Sequence, residues 1–288
     1  MPAAAPRIPT ITQKQVAAFL APRPRDSHKG NFGTAAVIGG ASGMVGAPLL
    51  AARAALKLGA GCLHVGILAD NALSADVLQP ELMLHSAQTA LRLPKLDVLA
   101  IGCGMGHDET AQKILHDALQ LETVLVLDAD ALNILALHPD MRTVLVSRQS
   151  ANVLTPHPGE AARLLDCTIE KVQSARSEAA QELAKRFGSA VVLKGVNSLC
   201  VTRKGKMYVN NTGNPGMSSP GMGDVLTGII TAFIAQGLDV DQALLLAVHL
   251  HGAAGDAMAK QKVTIGMTAT EVTEWARWLL NQWIIQSK

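Results

Sequence analysis

The stretch from Asn210 to Gln236, NNTGNPGMSSPGMGDVLTGIITAFIAQ, limits what this chain can fold into more than any other. Its first half contains four glycines and two prolines, which are disfavoured inside helices and strands and so predict a shaped loop. In its second half apolar residues recur at helical spacing from Val225 to Ile234, and Gly237 stands where a left-handed C-cap is expected. The stretch predicts a glycine loop that leads directly into a buried helix.

A loop of this kind is suited to binding phosphate. The free N–H groups at the start of a helix and the positive end of its dipole together attract anions. Asp224 stands at this point, and two interpretations of it remain open. It is either the N-cap of the helix, or a base that removes a proton from a hydroxyl attacking the phosphate. One geometry accommodates both roles.

The rest of the chain alternates buried strands with helices. Predicted strands span 34–38, 62–68, 96–102, 123–127, 151–154 and 190–193, with an antiparallel hairpin at 199–202 and 206–209. Predicted helices include 12–20, 47–58, 169–187, 241–260 and 269–281. Since 49% of residues are hydrophobic and only 3% aromatic, the composition favours a sheet between aliphatic helix layers. We therefore expect one α/β domain over residues 1–288, with residues 1–12 loosely held.

Charge and cysteine content exclude several classes of function. The net charge of +2 is scattered, which indicates neither a nucleic-acid partner nor a membrane surface. The four cysteines form no CxxC pair, so we expect reduced thiols rather than a zinc or redox site. No targeting segment or membrane span is predicted, and we expect a cytoplasmic protein.

Two further glycine turns follow predicted strands, and they raise a dinucleotide-binding alternative. The first contains Gly40, Gly43 and Gly46, and the second runs from Gly102 to Gly106. Neither spacing is GxGxxG, although Asp128 lies about where a ribose-binding acid is expected. The sequence also lacks the Tyr-x-x-x-Lys of short-chain dehydrogenases and the GxxxxGK[ST] of a P-loop. Both classes are disfavoured.

Polar residues after two other strands are candidates for the same ligand crevice. Asp128 and Asp130 follow one strand, where acids either face the crevice or cap the next helix. His157 follows another, fixed on a turn between two prolines. Glu160 is either a first-turn acid that complements the helix dipole or a Mg²⁺ ligand near phosphate. The histidines of the helix over 241–260, His249 and His251, are interpreted as packing residues.

Seven motifs occur in register along the chain. They are HKGNFG (28–33), GGASGMVGAPLLAARAAL (39–56), GCGMG (102–106), DADALN (128–133), TPHPGE (155–160), VLKG (192–195) and GNPGMSSPGMGDVLTGII (213–230). Together they resemble the ADP-dependent (S)-NAD(P)H-hydrate dehydratases of the ribokinase-like superfamily. The resemblance implies a single-domain three-layer αβα sandwich with a largely parallel central sheet.

The same resemblance implies an activity. These enzymes restore NADH and NADPH from the hydrates NADHX and NADPHX, with ADP as the phosphoryl donor in bacteria and Mg²⁺ as cofactor. The hydroxyl of the hydrate is phosphorylated, and phosphate leaves as the ring double bond forms. The dinucleotide is thus a substrate and not a hydride carrier. A homotetramer is also implied, and we expect a stand-alone dehydratase without the epimerase domain that often accompanies it.

Motif by motif, the resemblance implies site residues. Asp224 is the catalytic base, and the hydrated dinucleotide contacts Ala47, Gly104, Gly106, His157 and Asp224. ADP contacts Lys194, Gly195, Val196, Asn197, Ser198, Gly221 and Gly223. Glu160 holds Mg²⁺, directly or through water.

One departure from the resemblance concerns Pro220, which stands where glycine is expected and lacks a backbone donor. A noncatalytic nucleotide-binding protein is the alternative that this residue favours. A small-molecule kinase of the same superfamily is another alternative, since it would share the loop around Asp224 but not the HKG, DADALN and TPHPGE motifs together.

Overall fold

The computed structural model describes residues 8–70 and 74–286, and its centre is one twisted sheet. The strands are β1 (Thr34–Gly39), β2 (Cys62–Ile67), β3 (Met83–Ser86), β4 (Val98–Ile101), β5 (Val124–Leu127), β6 (Asn152–Leu154), β7 (Ala190–Leu193), β8 (Ser198–Val201) and β9 (Met207–Asn210). Their order is β3-β2-β1-β4-β5-β6-β7-β8-β9. All neighbours from β3 to β7 are parallel, and β8 is antiparallel to β7 and β9. The predicted, largely parallel sheet is confirmed.

Helices cover both faces of this sheet. They are α1 (Gln13–Ala17), α2 (Gly46–Lys57), α3 (Ala87–Leu91), α4 (Glu109–Leu119), α5 (Ala129–Leu137), α6 (Pro139–Ser147), α7 (Pro158–Leu165), α8 (Ile169–Ser174), α9 (Arg176–Phe187), α10 (Met222–Ala235), α11 (Val240–Lys260) and α12 (Ala269–Gln286). One hydrophobic core joins α1, α2 and α10 to α12 to one face. A second core joins α3 to α9 to the other face. The fold is the expected three-layer αβα sandwich.

The central strands are continuous apolar runs because both of their faces are covered. All four residues of β4 are fully buried, as are the last three of β5. Fully buried parallel strands require such runs instead of the alternation seen in half-exposed sheets. The chain order of the strands reverses between β1 and β4. In open α/β sheets, ligands bind beyond the carboxyl ends of the strands at this position.

The contact between α2 and α10 places the start of α10 over the sheet. A Cβ on Gly228 would lie 2.0 Å from the main-chain oxygen of Ala51, so only glycine allows the two helices to approach this closely. Twelve of the fourteen residues of α10 are buried. Burial on nearly all sides fixes this helix, and with it the loop that leads into it.

Three differences from the sequence predictions concern secondary structure. Strand β3 was not predicted, because Met83 to Ser86 form a partly exposed strand at the sheet edge and lack a run of β-branched residues. The helix predicted over 169–187 is two helices, broken at Ala175 (φ −136°, ψ 52°). Among the remaining elements, α3, α4 and α6 were also not assigned from sequence.

The beginning of the chain is more ordered than expected. The main chain of Val209 accepts from Ile11 and donates to Pro9, so the described part of the predicted loose segment pairs with β9. Thr12, the first residue of the helix predicted over 12–20, is the N-cap of α1. Residues 1–7 lie outside the described residues. Within residues 8–70 and 74–286, no helix combines the length and apolar character needed to cross a bilayer.

Candidate active site

The two glycine turns after β1 and β4 contact each other at the carboxyl edge of the sheet. The Gly40 N–H donates to the oxygen of Cys103 at 3.1 Å, and the Ala41 N–H donates to the oxygen of Gly104 at 2.7 Å. A Cβ on Gly104 would lie 3.1 Å from Cβ of Ala47. The structure therefore brings together two of the residues assigned to the hydrated dinucleotide.

The glycine loop enters α10 at Gly221, which is the N-cap of this helix and has a positive φ of 87°. Asp224 is the third residue of the helix, so its interpretation as the N-cap is wrong. The helix begins at Met222, and its first main-chain hydrogen bond onto the cap is donated by Val225. The N–H groups of the first turn have no helical acceptor, which leaves them available to an anion.

A cluster of charged groups lies beside this helix start. The Nζ of Lys194, just beyond β7, is 2.7 Å from Oδ1 of Asp128, just beyond β5. The hydroxyl of Thr227 on α10 donates to Oδ2 of the same carboxylate at 2.7 Å. A Cβ on Gly223 would lie 3.4 Å from the Lys194 ammonium, so the start of α10 packs directly onto this pair. Three segments thus meet at one ion pair.

The pKa shifts in this cluster follow from burial and from these contacts. Burial by itself would raise the pKa of Asp128, but the Lys194 ammonium and the hydrogen bonds from Lys194 and Thr227 outweigh it and hold the pKa below its usual value. Burial would lower the pKa of Lys194, but Asp128 and Glu160 raise it. The pair is therefore ionised at neutral pH.

The pKa of Asp224, unlike that of Asp128, is raised above its usual value. Burial raises its pKa to about 6, and the negative charge of Asp128 adds to the effect. One carboxylate oxygen of Asp224, one of Asp128 and the Sγ of Cys103 all lie within 4.8 Å of one another. A carboxylate whose pKa is raised towards neutral pH, beside free helix N–H groups, is suited to accept a proton during catalysis.

His157 and Glu160 form a capping box at the start of α7. The His157 Nδ1 accepts from the N–H groups of Gly159 (2.9 Å) and Glu160 (3.3 Å), and the Glu160 Oε2 accepts from the His157 N–H at 2.7 Å. The His157 ring is half-exposed and its Nε2 lies 3.2 Å from Oε1 of Glu160. Burial lowers the pKa of His157, so the ring is neutral at pH 7 and Nε2 carries its proton.

The segment from Lys194 to Ser198 makes a tight turn at the same edge. Gly195 has φ 130° and Asn197 has φ 53°, while the side chain of Val196 is exposed. The Ser198 hydroxyl closes the turn by donating to the Gly195 oxygen at 2.8 Å. Of the residues assigned to ADP, Lys194 and Gly223 are in contact distance of one another.

Several residues of the site were absent from the predicted set. Thr227 and Cys103 contact the acids, and Arg176 donates to the main-chain oxygens of Leu193 and Lys194. Asp130, which was one of the predicted crevice candidates, accepts from the Gly106 N–H at 2.9 Å. Thr227 was detectable, because it lies three residues after Asp224 on the same helix face. The contacts of Arg176 depend on the break between α8 and α9, which no local pattern signals.

His249 and His251 are buried, as predicted. The His249 Nδ1 lies 3.2 Å from Oδ1 of Asn210, and its ring is tilted by 40° against the ring of Trp283, with the two centroids 5.9 Å apart. The His251 Nε2 is buried without a hydrogen-bond partner among the described residues. Burial lowers the pKa of His251 to about 4, which keeps this imidazole neutral.

Comparison with known proteins identifies the family of this chain. The sequence model of the NAD(P)H-hydrate dehydratase family matches residues 35–277. The chain is 43% identical to the ADP-dependent (S)-NAD(P)H-hydrate dehydratase of Neisseria meningitidis serogroup B, covering 90% of this chain and 89% of that protein. It is 37% identical to the bifunctional NAD(P)H-hydrate repair enzyme Nnr of Escherichia coli K12, of which it spans 53%.

A solved structure shows the same fold. The ADP/ATP-dependent NAD(P)H-hydrate dehydratase of Bacillus subtilis, co-crystallised with ATP and Mg²⁺, superimposes with a TM-score of 0.84 at 29% identity, covering 97% of this chain and all of that one. The family match covers most of the chain, and the Neisseria relative is matched over nearly its full length. The chain belongs to the NAD(P)H-hydrate dehydratase family.

Proposed function

We propose that this chain catalyses the ADP-dependent dehydration of (6S)-NADHX and (6S)-NADPHX to NADH and NADPH, with release of AMP and phosphate. The observation that carries the proposal is the position of Asp224. Its carboxylate has a raised pKa and lies in the first turn of α10, where N–H groups are free to bind the phosphate that is transferred. The similarity to dehydratases named for this reaction supports the substrate assignment.

The reaction begins with transfer of the terminal phosphoryl group of ADP. Asp224 takes the proton from the hydroxyl of the hydrate while that oxygen bonds to the β-phosphorus and AMP leaves. The phosphate ester then loses phosphate, the electron pair of the adjacent C–H bond forms the ring double bond, and the proton of that bond passes to solvent. The main-chain N–H groups of Gly221 and Gly223 stabilise the charge on the transferring phosphoryl group.

The nucleotide and the hydrate occupy adjacent parts of the sheet edge. We assign ADP to the turn from Lys194 to Ser198 and to Gly221 and Gly223. The hydrated dinucleotide is assigned to Ala47, Gly104, Gly106, His157 and Asp224. Two arrangements support this division: Gly104 adjoins Ala47, and Gly223 adjoins Lys194. The His157 ring is half-exposed and neutral, and we propose that its Nε2–H turns from Oε1 of Glu160 to an acceptor on the substrate when the substrate binds.

Mg²⁺ is proposed to enter with the nucleotide. Of the acids near the phosphate loop, Glu160 already uses both oxygens, one on the N–H of His157 and the other on the ring of His157. Lys194 lies 3.8 Å from the first of these oxygens. A carboxylate engaged in this way suits coordination through water better than direct ligation, and Mg²⁺ in nucleotide sites retains several waters. The ion would neutralise phosphate charge.

The test is a direct assay of repair. Purified protein is mixed with NADHX, Mg²⁺ and either ADP or ATP, and the return of reduced-nicotinamide absorbance is followed. Recovery with ADP that is abolished in Asp224→Asn supports both the reaction and the base. Measurable ADP binding without recovery would refute the proposal and favour a small-molecule kinase or a noncatalytic binder.

The assembly and location also belong to this proposal. We infer a single domain over residues 1–288 and a homotetramer from the family resemblance. A cytoplasmic location is inferred because all four cysteines are free. Light scattering after size-exclusion chromatography tests the assembly, and a mass different from four chains would contradict it.

A further inference from the structure

Cys103 occupies the second glycine turn, close to Asp224. Its side chain is fully buried, and its Sγ belongs to the group of three atoms that lie within 4.8 Å of one another. The Sγ of Cys103 lies within 4.8 Å of a carboxylate oxygen of Asp224, and the thiol lowers the pKa of that carboxyl by acting as a hydrogen-bond donor to it. The motif GCGMG identifies the turn but gives this residue no role.

The direction of this hydrogen bond follows from the protonation states. Burial, followed by the charges of Asp224 and Asp128, raises the pKa of Cys103 well above its usual value. The sulfur therefore keeps its proton at neutral pH, and a protonated thiol is a weak donor. Since an ionised carboxylate can only accept, Cys103 donates and Asp224 accepts.

The main chain of Cys103, which follows β4, also contacts the end of β1, where the strand order reverses. Its oxygen accepts from the Gly40 N–H at 3.1 Å, and a Cβ on Gly39 would lie 2.1 Å from the same oxygen. The turn is thus packed against the end of β1 as well as β4. The contact between the two turns therefore fixes the backbone position of Cys103 beside Asp224.

We propose that Cys103 is a positioning residue for the dehydration: its thiol holds one oxygen of Asp224 and leaves the other free for the substrate hydroxyl. The step in which Asp224 takes a proton rests on the proposed function, whereas the contact between Cys103 and Asp224 does not. Sulfur itself forms no bond to the substrate.

The thiol also sets how readily Asp224 ionises. Burial raises the pKa of Asp224, the charges of Asp128 and Asp130 raise it further, and the thiol hydrogen bond and Lys194 lower it. Removing the thiol donor removes one of the two effects that favour the carboxylate form. The base should then ionise at higher pH.

The test compares variants that remove or keep the donor. Cys103→Ala and Cys103→Val lack it, and Cys103→Ser retains it. The control is Cys200→Ala, because Cys200 is an equally buried thiol whose pKa is raised to about 12 by burial alone, without contact with Asp224. Each variant is assayed for kcat/KM towards NADHX across pH 5–8, with ADP affinity and thermal unfolding measured in parallel.

We expect the acid limb of the profile to move up by roughly half to one pH unit in Cys103→Ala and Cys103→Val. Cys103→Ser and Cys200→Ala should retain the wild-type limb. A role limited to packing would lower stability in Cys103→Ala and Cys200→Ala alike and leave every limb unchanged. That result would overturn the proposal.

A titration that needs no turnover separates this inference from the proposed function. The carboxyl carbon of Asp224 is followed by ¹³C NMR, assigned by its loss in Asp224→Asn, in the wild type and in Cys103→Val. A higher midpoint in Cys103→Val supports the contact even in a protein that does not dehydrate NADHX. Equal midpoints refute it even in an active enzyme.

Discussion

The Nζ of Lys194 lies 2.7 Å from Oδ1 of Asp128, a residue 66 positions earlier in the chain. The Asp128 carboxylate is almost completely buried, and its other oxygen accepts from Thr227. Removing the cation would leave a buried negative charge without its partner. Because the ends of β5 and β7 and the start of α10 meet here, this pair supports the geometry on which the phosphate loop depends.

Lys194→Met should therefore destabilise the fold strongly. Breaking a buried pair by removal of one partner costs about 3–5 kcal/mol. Lys113→Met is the matched control, since Lys113 forms an exposed pair with Asp117 one helical turn away and such pairs contribute below about 1 kcal/mol. Urea unfolding at pH 7 measures both. Equal losses would show that the buried pair contributes no more than a surface pair.

Asp224→Asn should leave ADP binding intact and reduce turnover at least about a hundredfold, the usual scale for a general base. In the wild type the active form is the carboxylate, whose pKa is raised by burial to about 6. The kcat/KM should thus be constant above that pH and fall about tenfold per unit below it. Asp140→Asn, at an exposed first-turn acid, should change neither property. A wild-type profile without an acid limb near pH 6 would contradict the assignment.

The negative charge of Asp224 should also reduce the free energy of unfolding. A carboxyl with a raised pKa binds its proton more tightly when folded, so its ionisation destabilises the fold as pH rises from about 4 through 6. Asp224→Asn should be more stable than the wild type at pH 7.5 by about 3 kcal/mol, which corresponds to a pKa raised from 3.8 to about 6, and this difference should vanish near pH 4. Effects of His251 are present in both proteins and cancel. A difference that does not change with pH would disprove the linkage.

Gly221→Ala tests the entry into α10. A residue at φ 87° pays about 1–2 kcal/mol unless it is glycine, and a Cβ here would also lie 2.6 Å from the Leu50 side chain. Gly237→Ala measures the cost of a positive φ alone, because Gly237 has φ 89° and open space around it. Gly221→Ala should be the more destabilising variant in thermal unfolding, and it alone should weaken ADP binding. Weakened ADP binding in Gly237→Ala would point to a global effect instead.

His157→Ala should weaken the hydrated substrate more than ADP. The ring is the cap of α7, so the variant should also lose about 1 kcal/mol of stability. His157→Asn keeps a capping side chain but not the Nε2 donor, and it should retain stability while still raising KM for NADHX. A selective loss of ADP affinity in either variant would contradict the substrate role.

The pattern of apolar residues, glycines and prolines was sufficient to predict the layered fold and the loop around Asp224. Of the nine strands that the structure describes, eight were predicted from apolar runs. Strand β3 was missed because its exposed edge position leaves no such run. Periodicity also failed at Ala175, where helix-forming residues continue through the break. There Arg176 donates to two main-chain oxygens after β7, and this long-range contact outweighs local preference.

The site shows the same division between local and long-range information. The positive φ of Gly221 and the capping role of His157 reflect local loop chemistry. The raised pKa of Asp224 depends on burial and on Asp128, a neighbour that only the assembled sheet supplies. Motif resemblance identified residues, whereas the structure supplied the contacts that give them their charge states.

The ion pair between Lys194 and Asp128 has a further consequence for how the molecule matures. The site is built from three segments that are far apart in sequence and contain Asp128, Lys194 and Asp224. A fragment that ends before α10 therefore lacks the base Asp224. Pairings between distant segments form slowly, because the intervening chain must first be ordered. We therefore expect no turnover from a chain in which these segments have not yet met, so the recovery of turnover after dilution from urea should follow their joining.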